Sequence, residues 1–209
     1  MSHTLTLPKK RIQTSFIEHQ INGLESPEEL NEVKRFIGKV FSGGGYVKSE
    51  YTAFDLDQWS TWFYVTSDNG EILSAMRVVE KRPNNFIPLE LGVIKGSHPP
   101  KRYAVLEQNV ADWNNVAFLA SRTGWRAAVQ NFAMVARFCL EKNFDMVYGF
   151  YDLKMPAIVR IYESVGVTMS EKYNKPVFFP GSTLNGTPVQ LSIIEISKAS
   201  LQKTVSKIM

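Results

Sequence analysis

Three stretches of the chain carry residue types at spacings that could do chemistry. In Val116-Ala117-Phe118-Leu119-Ala120-Ser121-Arg122-Thr123-Gly124-Trp125-Arg126, an apolar run leads into a turn with a small residue, two arginines and a helix start. Backbone N–H groups at a helix N-terminus, beside guanidinium groups, attract an anion such as a pyrophosphate or the phosphate of phosphopantetheine. The same residues read equally as a plain strand–helix connection with two surface arginines. In the second stretch, Pro156 to Val167, Tyr162 sits half-way along an amphipathic pattern. A tyrosine there is more often a core residue with its hydroxyl at the edge. Its chemical reading is a proton donor to a departing thiolate, because acid catalysis needs a donor positioned beside the leaving group. The third is Phe54-Asp55-Leu56-Asp57-Gln58-Trp59, followed by a hairpin and Arg77. Two carboxylates and an arginine suit a zwitterionic amine; alone, they read as exposed charges at a strand end.

The elements that must position these residues follow from periodicity. Ser26-Pro27-Glu28-Glu29 predicts a capping box, and Leu30, Val33, Ile37 and Val40 recur at helical spacing until Gly43-Gly44-Gly45 supplies a flexible stop. Trp59 to Thr66 and Ile72 to Val79 read as a hairpin around Asp68-Asn69-Gly70, with Asn-Gly in a type I′ turn. Four prolines break up residues 82–113, which read mostly as loop with a short strand near Leu89 to Ile94. Val116 to Ala120 is a buried strand, and a helix runs from about Arg126 to Lys142 with a wide apolar face. Cys139 lies in that face and reads as a buried, inert thiol. Asp145 to Tyr151 is a strand, Pro156 opens a helix that Gly166 ends, and Pro176 to Phe179 with Val189 to Ile196 form a last strand pair around a long loop. A short amphipathic tail starts at Lys198. This order predicts a mixed α/β (α+β) sheet with helices packed on it.

Composition bounds the function. The 209 residues are 44% hydrophobic and 12% aromatic, which excludes disorder, collagen-like repeats and coiled-coil rods. A single cysteine and three scattered histidines predict neither a disulfide framework nor a metal centre. No apolar run reaches the roughly 20 residues of a membrane helix, and the first residues lack a secretory h-region, so a reducing, cytoplasmic setting is expected. Residues 1–100 hold 11 basic against 12 acidic side chains, whereas residues 101–209 hold 13 against 8. The basic second half reads as a solvated surface or as the dock of an acidic partner; no nucleic-acid motif accompanies it.

Taken together, the groupings resemble the GNAT-superfamily acyltransferases, in particular the acyl-homoserine-lactone (autoinducer) synthase and N-acyl amino acid synthase branch. Asp55-Leu56-Asp57-Gln58-Trp59, Asp68-Asn69-Gly70-Glu71-Ile72 and Met76-Arg77-Val78-Val79 resemble that branch's acidic motif, hairpin and arginine-bearing strand. Ala120-Ser121-Arg122 resembles its Ser-Arg pair, and Pro156 through Tyr162 to Gly166 the superfamily's late helix. Lys175-Pro176-Val177 and Asn185-Gly186-Thr187-Pro188-Val189 look like a closing hairpin.

The likeness spans about residues 11–197 of one domain over 1–209. It implies a twisted mixed sheet splayed between its fourth and fifth strands, with helices on both faces. The implied reaction moves an acyl group from a thioester, on coenzyme A or acyl-carrier protein, to an amine of an amino acid or similar small molecule. No tightly bound cofactor is implied; acyl-CoA or acyl-phosphopantetheine enters as co-substrate. By the resemblance Phe118, Leu119, Ala120, Arg122, Gly124 and Trp125 line the donor arm. Asp57 and Trp59, with Arg77, shape the acceptor site, and Tyr162 is the acid. The splayed strand's N–H groups near Phe118 to Ala120 bind the oxyanion. Trp59, Trp62, Phe63, Phe118 and Phe150 are expected around the acyl chain.

Two residues depart from the family pattern. Leu119 stands where the autoinducer synthases have a glutamate, so Glu90, Glu107 or a water must replace that base. Only Gly124 remains of the phosphate loop, which leaves the carrier protein open as donor. It also leaves open a non-catalytic relative that binds thioester or lipid.

Overall fold

The computed structural model describes residues 15–47, 54–153 and 156–207, with backbone alone for 156–158. The chain opens with strand β1 (Phe16–Asn22), which the sequence pattern did not reveal, and helix α1 (Pro27–Gly43). Pro27 occupies the first turn, but the expected capping box does not form. Glu29 instead accepts the Tyr64 hydroxyl, and Asn22 and Glu25 bond to each other ahead of the helix. Leu30, Val33 and Ile37 are buried as the periodicity requires, against Trp62, Tyr64, Ala75 and Ala117.

Strand β2 (Tyr46–Val47) follows, then a single 3-10 turn at Asp57–Trp59, and the hairpin β3 (Ser60–Ser67) and β4 (Ile72–Glu80). The turn is not type I′. The Gly70 amide donates to the Ser67 carbonyl and Gly70 takes a positive φ of 85°, while Asn69 does not. Helix α2 (Pro88–Leu91) and strand β5 (Val93–Ile94) replace the strand expected from Leu89 to Ile94. Proline at the first helical position and Glu90 bonding back to the Ile87 amide, 3.0 Å, favour the helical turn.

Strand β6 (Val110–Phe118) starts six residues before the sequence expectation, and helix α3 (Arg122–Glu141) four residues before. Strand β7 (Met146–Tyr151) and helix α4 (Pro156–Ser164) stand where the pattern put them, and Gly166 has the positive φ of a helix stop, 80°. Then come β8 (Thr168–Met169), β9 (Val177–Phe178), β10 (Thr183–Leu184), β11 (Thr187–Pro188), β12 (Ser192–Ile196) and helix α5 (Lys198–Ser206). The long loop thus contains a hairpin of its own. Asn185 and Gly186 both take positive φ, and the Asn185 amide donates to the Gly45 carbonyl at 2.9 Å. A side chain on Gly45 would lie 2.0 Å from Asn185 Oδ1, so this glycine is a docking point rather than a flexible joint.

One seven-stranded sheet has the order β1-β3-β4-β6-β7-β12-β8; β6 and β7 run parallel and the other neighbours antiparallel. Helices cover both faces. On one, α3 packs on Phe63, Met76, Val78, Trp113, Val147 and Ile194. On the other, α1 covers β3, β4 and the end of β6, while α2 and the β8–β9 segment cover Val79, Val110, Tyr148 and Ile193. Cys139, on the inner face of α3, is fully buried, and burial pushes its thiol pKa up. No helix among the described residues is long and apolar enough to cross a membrane.

Candidate active site

The strands β6 and β7 pair only from Val110↔Met146 to Trp113↔Gly149. Beyond that point β6 runs on to Phe118 still paired with β4, and β7 runs on to Tyr151 still paired with β12. The sheet therefore opens between its fourth and fifth strands. The local cause is a bulge. Asn115 takes φ 53°, and the β4–β6 register shifts between Ala75 and Arg77. One extra residue on β6 bends the strand and exchanges its faces. Trp113 lies under α3, Asn114 faces the other side beside Arg77, and after the bulge Ala117 packs under α1. Asparagine tolerates this left-handed geometry better than most residues.

On the α3 face an aromatic series spans the opening. Trp113, the last β6 residue paired to β7, packs on Phe132 at 5.3 Å between ring centroids. Phe132 meets Tyr162 edge-on at 6.1 Å, and Tyr162 stacks on Tyr151, the last residue of β7, at 6.0 Å. Tyr162 thus lies buried in the core under α3, beside the split. Its hydroxyl has no hydrogen-bond partner among the described residues, and burial raises its pKa, so the phenol keeps its proton. The expected donor-site residues lie around the end of β6. Phe118 contacts Trp125 edge-on at 5.7 Å. The Leu119 amide is already committed to the Leu73 carbonyl at 3.0 Å. Strand alternation then turns the Phe118 amide toward the open edge, which narrows the expected oxyanion donors of 118–120.

The first turn of α3 is less available than its sequence suggests. Ser121 caps the helix by accepting from the Gly124 amide at 3.0 Å, so that amide is spoken for. Gly124 is required for another reason: a Cβ there would stand 2.3 Å from the Leu119 carbonyl oxygen. Arg122 is exposed. Arg126 turns away onto the Phe16 ring, 5.5 Å from its centroid. Trp125 and Arg126 also border a groove of about 460 Å³ between α3 and β1; a second cavity, about 310 Å³, lies by Tyr103 and Lys172. Neither contains Tyr162 or Arg77.

The opposite face is polar. Arg77 on β4 donates from Nε to Asn114 Oδ1 at 2.8 Å, and Asn114 Nδ2 donates to Asp112 Oδ1 at 2.9 Å. The Leu89 amide donates to Asp112 Oδ2 at 3.0 Å. Arg77 lies 5.0 Å over the Trp62 ring, with Lys34 on the same ring at 5.6 Å. Lys34 also pairs with Asp57. Burial lowers Arg77 to about 10 against the pull of Asp112, Asp57 and Asp55, and burial holds the Asp112 carboxyl up at about 7.

The expected residues divide between the two faces. Arg77 and Asp57 meet around Trp62 and Lys34. Trp59 packs apart from them, against Leu56 and the α2-side core. The expected acyl lining does not come together: Phe63 is in the core under α3 against Phe138, and Trp62 lies on the other face under Arg77. The candidate bases are occupied as well. Glu90 is buried with Lys81 Nζ at 2.7 Å and the Ile87 and Val105 amides. Burial opposes ionisation of Glu107, but hydrogen bonds from Lys172, Tyr148 and Tyr173 outweigh it and hold the carboxyl down to about 2. Asp112 and Asn114 were missed in the sequence; their signal is two polar residues at i and i+2 among Val110, Ala111 and Trp113.

A mixed sheet opened at its fourth and fifth strands, with helices on both faces, is a GNAT-like fold. The chain is similar in structure to FeeM, an N-acyl amino acid synthase from uncultured soil microbes, with 12% identity over 95% of this chain and 100% of that one, TM-score 0.63. It is similar also to the acyl-homoserine-lactone synthase LasI, 12% identity over 93% and 96% of the two chains, TM-score 0.61. The spermidine/spermine N-acetyltransferase SpeG from Vibrio cholerae matches at 9% identity over 90% and 96%, TM-score 0.56. No protein-family model and no curated protein sequence matches the chain.

Proposed function

We propose that the protein is an N-acyltransferase that moves an acyl group from a thioester, on coenzyme A or acyl-carrier protein, to the amine of an amino acid or similar small molecule. The observation that carries this reading is the open edge after Trp113 and Gly149, with the buried Tyr162 ring stacked on Tyr151 beside it on one face and Arg77 on the other. A thioester arm enters from the α3 face, with Arg122 and Trp125 at its outer end, and the amine approaches from the α1 face. The amine, entering as the neutral base after losing its ammonium proton to solvent, attacks the thioester carbonyl through nitrogen, and the Phe118 amide donates to the oxygen that becomes negative. The C–S bond breaks and the thiolate takes the Tyr162 proton. The new amide nitrogen gives up one proton, which restores the phenol, so thiol and amide leave with atoms balanced. This route needs no separate carboxylate base, in keeping with Leu119 and the occupied Glu90 and Glu107. Thiol release from a panel of acyl-thioesters, with and without amino acids, tests it. Release that requires the amine is expected; none with any donor, at any chain length, overturns it.

The same occupied carboxylates favour a second reading, a thioester- or lipid-holding module. Native mass spectrometry separates the two: a bound acyl group without turnover supports the module, and N-acyl amines in extracts of expressing cells support the enzyme.

A further inference from the structure

The cavity of about 310 Å³ lies on the opposite face of the sheet from α3, where Ile94 and Tyr103 pack against the core around Tyr148 and Tyr173. Its lining carries three lysines, Lys101, Lys172 and Lys175, with His98 and Asn174, and no carboxylate. Among the described residues the ammonium groups of Lys101 and Lys175 form no ion pair. Lys172 bonds to Glu107, whose carboxylate also accepts from the Tyr148 and Tyr173 hydroxyls, each at 3.0 Å. One carboxylate behind three ammonium groups leaves the cavity net positive. The backbone around it is tied down. The Tyr103 hydroxyl accepts from the Lys175 amide at 2.9 Å and donates to the Lys175 carbonyl at 3.3 Å. Strands β5 and β9 pair, and the Lys95 amide donates to the Pro176 carbonyl at 2.9 Å. Ser97 closes the loop between Ile94 and Lys101: its hydroxyl donates to the Ile94 carbonyl at 2.8 Å and accepts from the Lys101 amide at 2.9 Å. Two segments some 70 residues apart thus hold like charges at one cavity, where each ammonium repels the others until an anion joins them.

We propose that this cavity is a receptor for a phosphate monoester, separate from the split in the sheet. An ammonium group only donates, so the ligand must bring several acceptor oxygens and more than one negative charge. A phosphate dianion brings three terminal oxygens, and lysine binds phosphate as a compact point charge. Ile94 and the Tyr103 ring supply an apolar wall for the organic group of the ester. The proposal goes beyond the acyltransferase reading and does not depend on it, since Arg122 and Trp125 belong to α3 on the other face.

Calorimetry at one ionic strength with phenyl phosphate and benzoate tests it. Phenyl phosphate should bind at least about tenfold tighter than benzoate. Lys101→Gln and Lys175→Gln should each weaken phenyl phosphate by about 3–10-fold, and Lys39→Gln on α1 should not. Vesicles carrying phosphatidic acid separate the two sources of the ester: binding of phenyl phosphate assigns the site to a soluble ester, and binding of the vesicles alone, lost in Lys101→Gln, to a lipid headgroup. Equal binding of phenyl phosphate and benzoate, binding of no phosphate probe, or an affinity untouched by both lysine variants overturns the receptor. Thiol release should be the same in Lys101→Gln as in the wild type; its loss would merge the cavity with the donor site and overturn the separation. A wild-type protein that binds phenyl phosphate and releases no thiol would sink the acyltransferase and spare the receptor.

Discussion

The two faces of the sheet at the split differ in almost every physical respect. On the α3 face the walls are aromatic rings; two of them are tyrosines, Tyr151 and Tyr162, both held protonated by burial, and Tyr162 has no hydrogen bond among the described residues. On the α1 face the groups are charged and chained to each other: Asp112, Asn114, Arg77, then Lys34 and Asp57 around Trp62. The same strand serves both faces. A bulge at Asn115 lets β6 carry Trp113 to one side and Asn114 to the other, then detach from β7. The difference teaches a division of labour: one face suits an apolar arm and a leaving group in need of a proton, the other a small charged molecule.

The largest effect should separate the faces outright. Tyr162→Phe keeps the ring between Phe132 and Tyr151 and should lower the transfer rate by about 10²–10⁴-fold. Donor affinity should be little changed; a loss in rate below about tenfold would remove Tyr162 as the proton donor. Next in size is Gly124→Ala. Alanine would favour the helix by about 1 kcal/mol, but its Cβ meets the Leu119 carbonyl at 2.3 Å, and α3 must shift from the end of β6. A net loss of about 1–3 kcal/mol in denaturant unfolding is expected, with a rise in donor KM; unchanged donor KM would show that this junction does not shape the donor side.

A third test probes the polar face alone. Burial raises the Asp112 carboxyl to about 7 beside Arg77, Asn114, Glu90 and the Leu89 amide, whereas a free aspartate titrates near about 4. Between those values the folded chain holds a proton that the unfolded chain has lost. The stability from this group is therefore complete below pH about 4 and is lost as pH rises toward about 7. Asp112→Asn should flatten that slope in urea midpoints measured across the interval; an identical slope would place Asp112 in a wetter setting. The smallest effect is at Glu107, which lies outside both sides of the split. Its stability is present above about 4 and fades as pH falls toward about 2, so Glu107→Gln should shallow acid unfolding slightly, with transfer rates intact.

How much of this was legible depended on polarity. Helix α1, the hairpin and helix α3 announce themselves because their apolar residues recur with the right period and few polar interruptions. Strand β6 was half hidden. Asp112, Asn114 and Asn115 look like loop residues, and they are polar because two build the Arg77 network and one forms the bulge. Strand β1 was hidden because its residues are mostly exposed, and only Ile21 is buried. Tyr162 and Arg77 were readable as candidates by type and place, but which face each serves depends on the parity of β6, which a single bulge reverses. The Ser26 capping box failed for a tertiary reason: the Tyr64 hydroxyl outbids the helix's own amide for Glu29.

The most direct test of the open edge is a crystal structure with a non-hydrolysable acyl-pantetheine thioether. The account predicts the arm lying between β6 and β7, its sulfur beside the Tyr162 hydroxyl and its carbonyl oxygen at the Phe118 amide. An arm bound in the groove by Phe16 and Arg126 instead, or β6 and β7 hydrogen-bonded through Phe118, would contradict it.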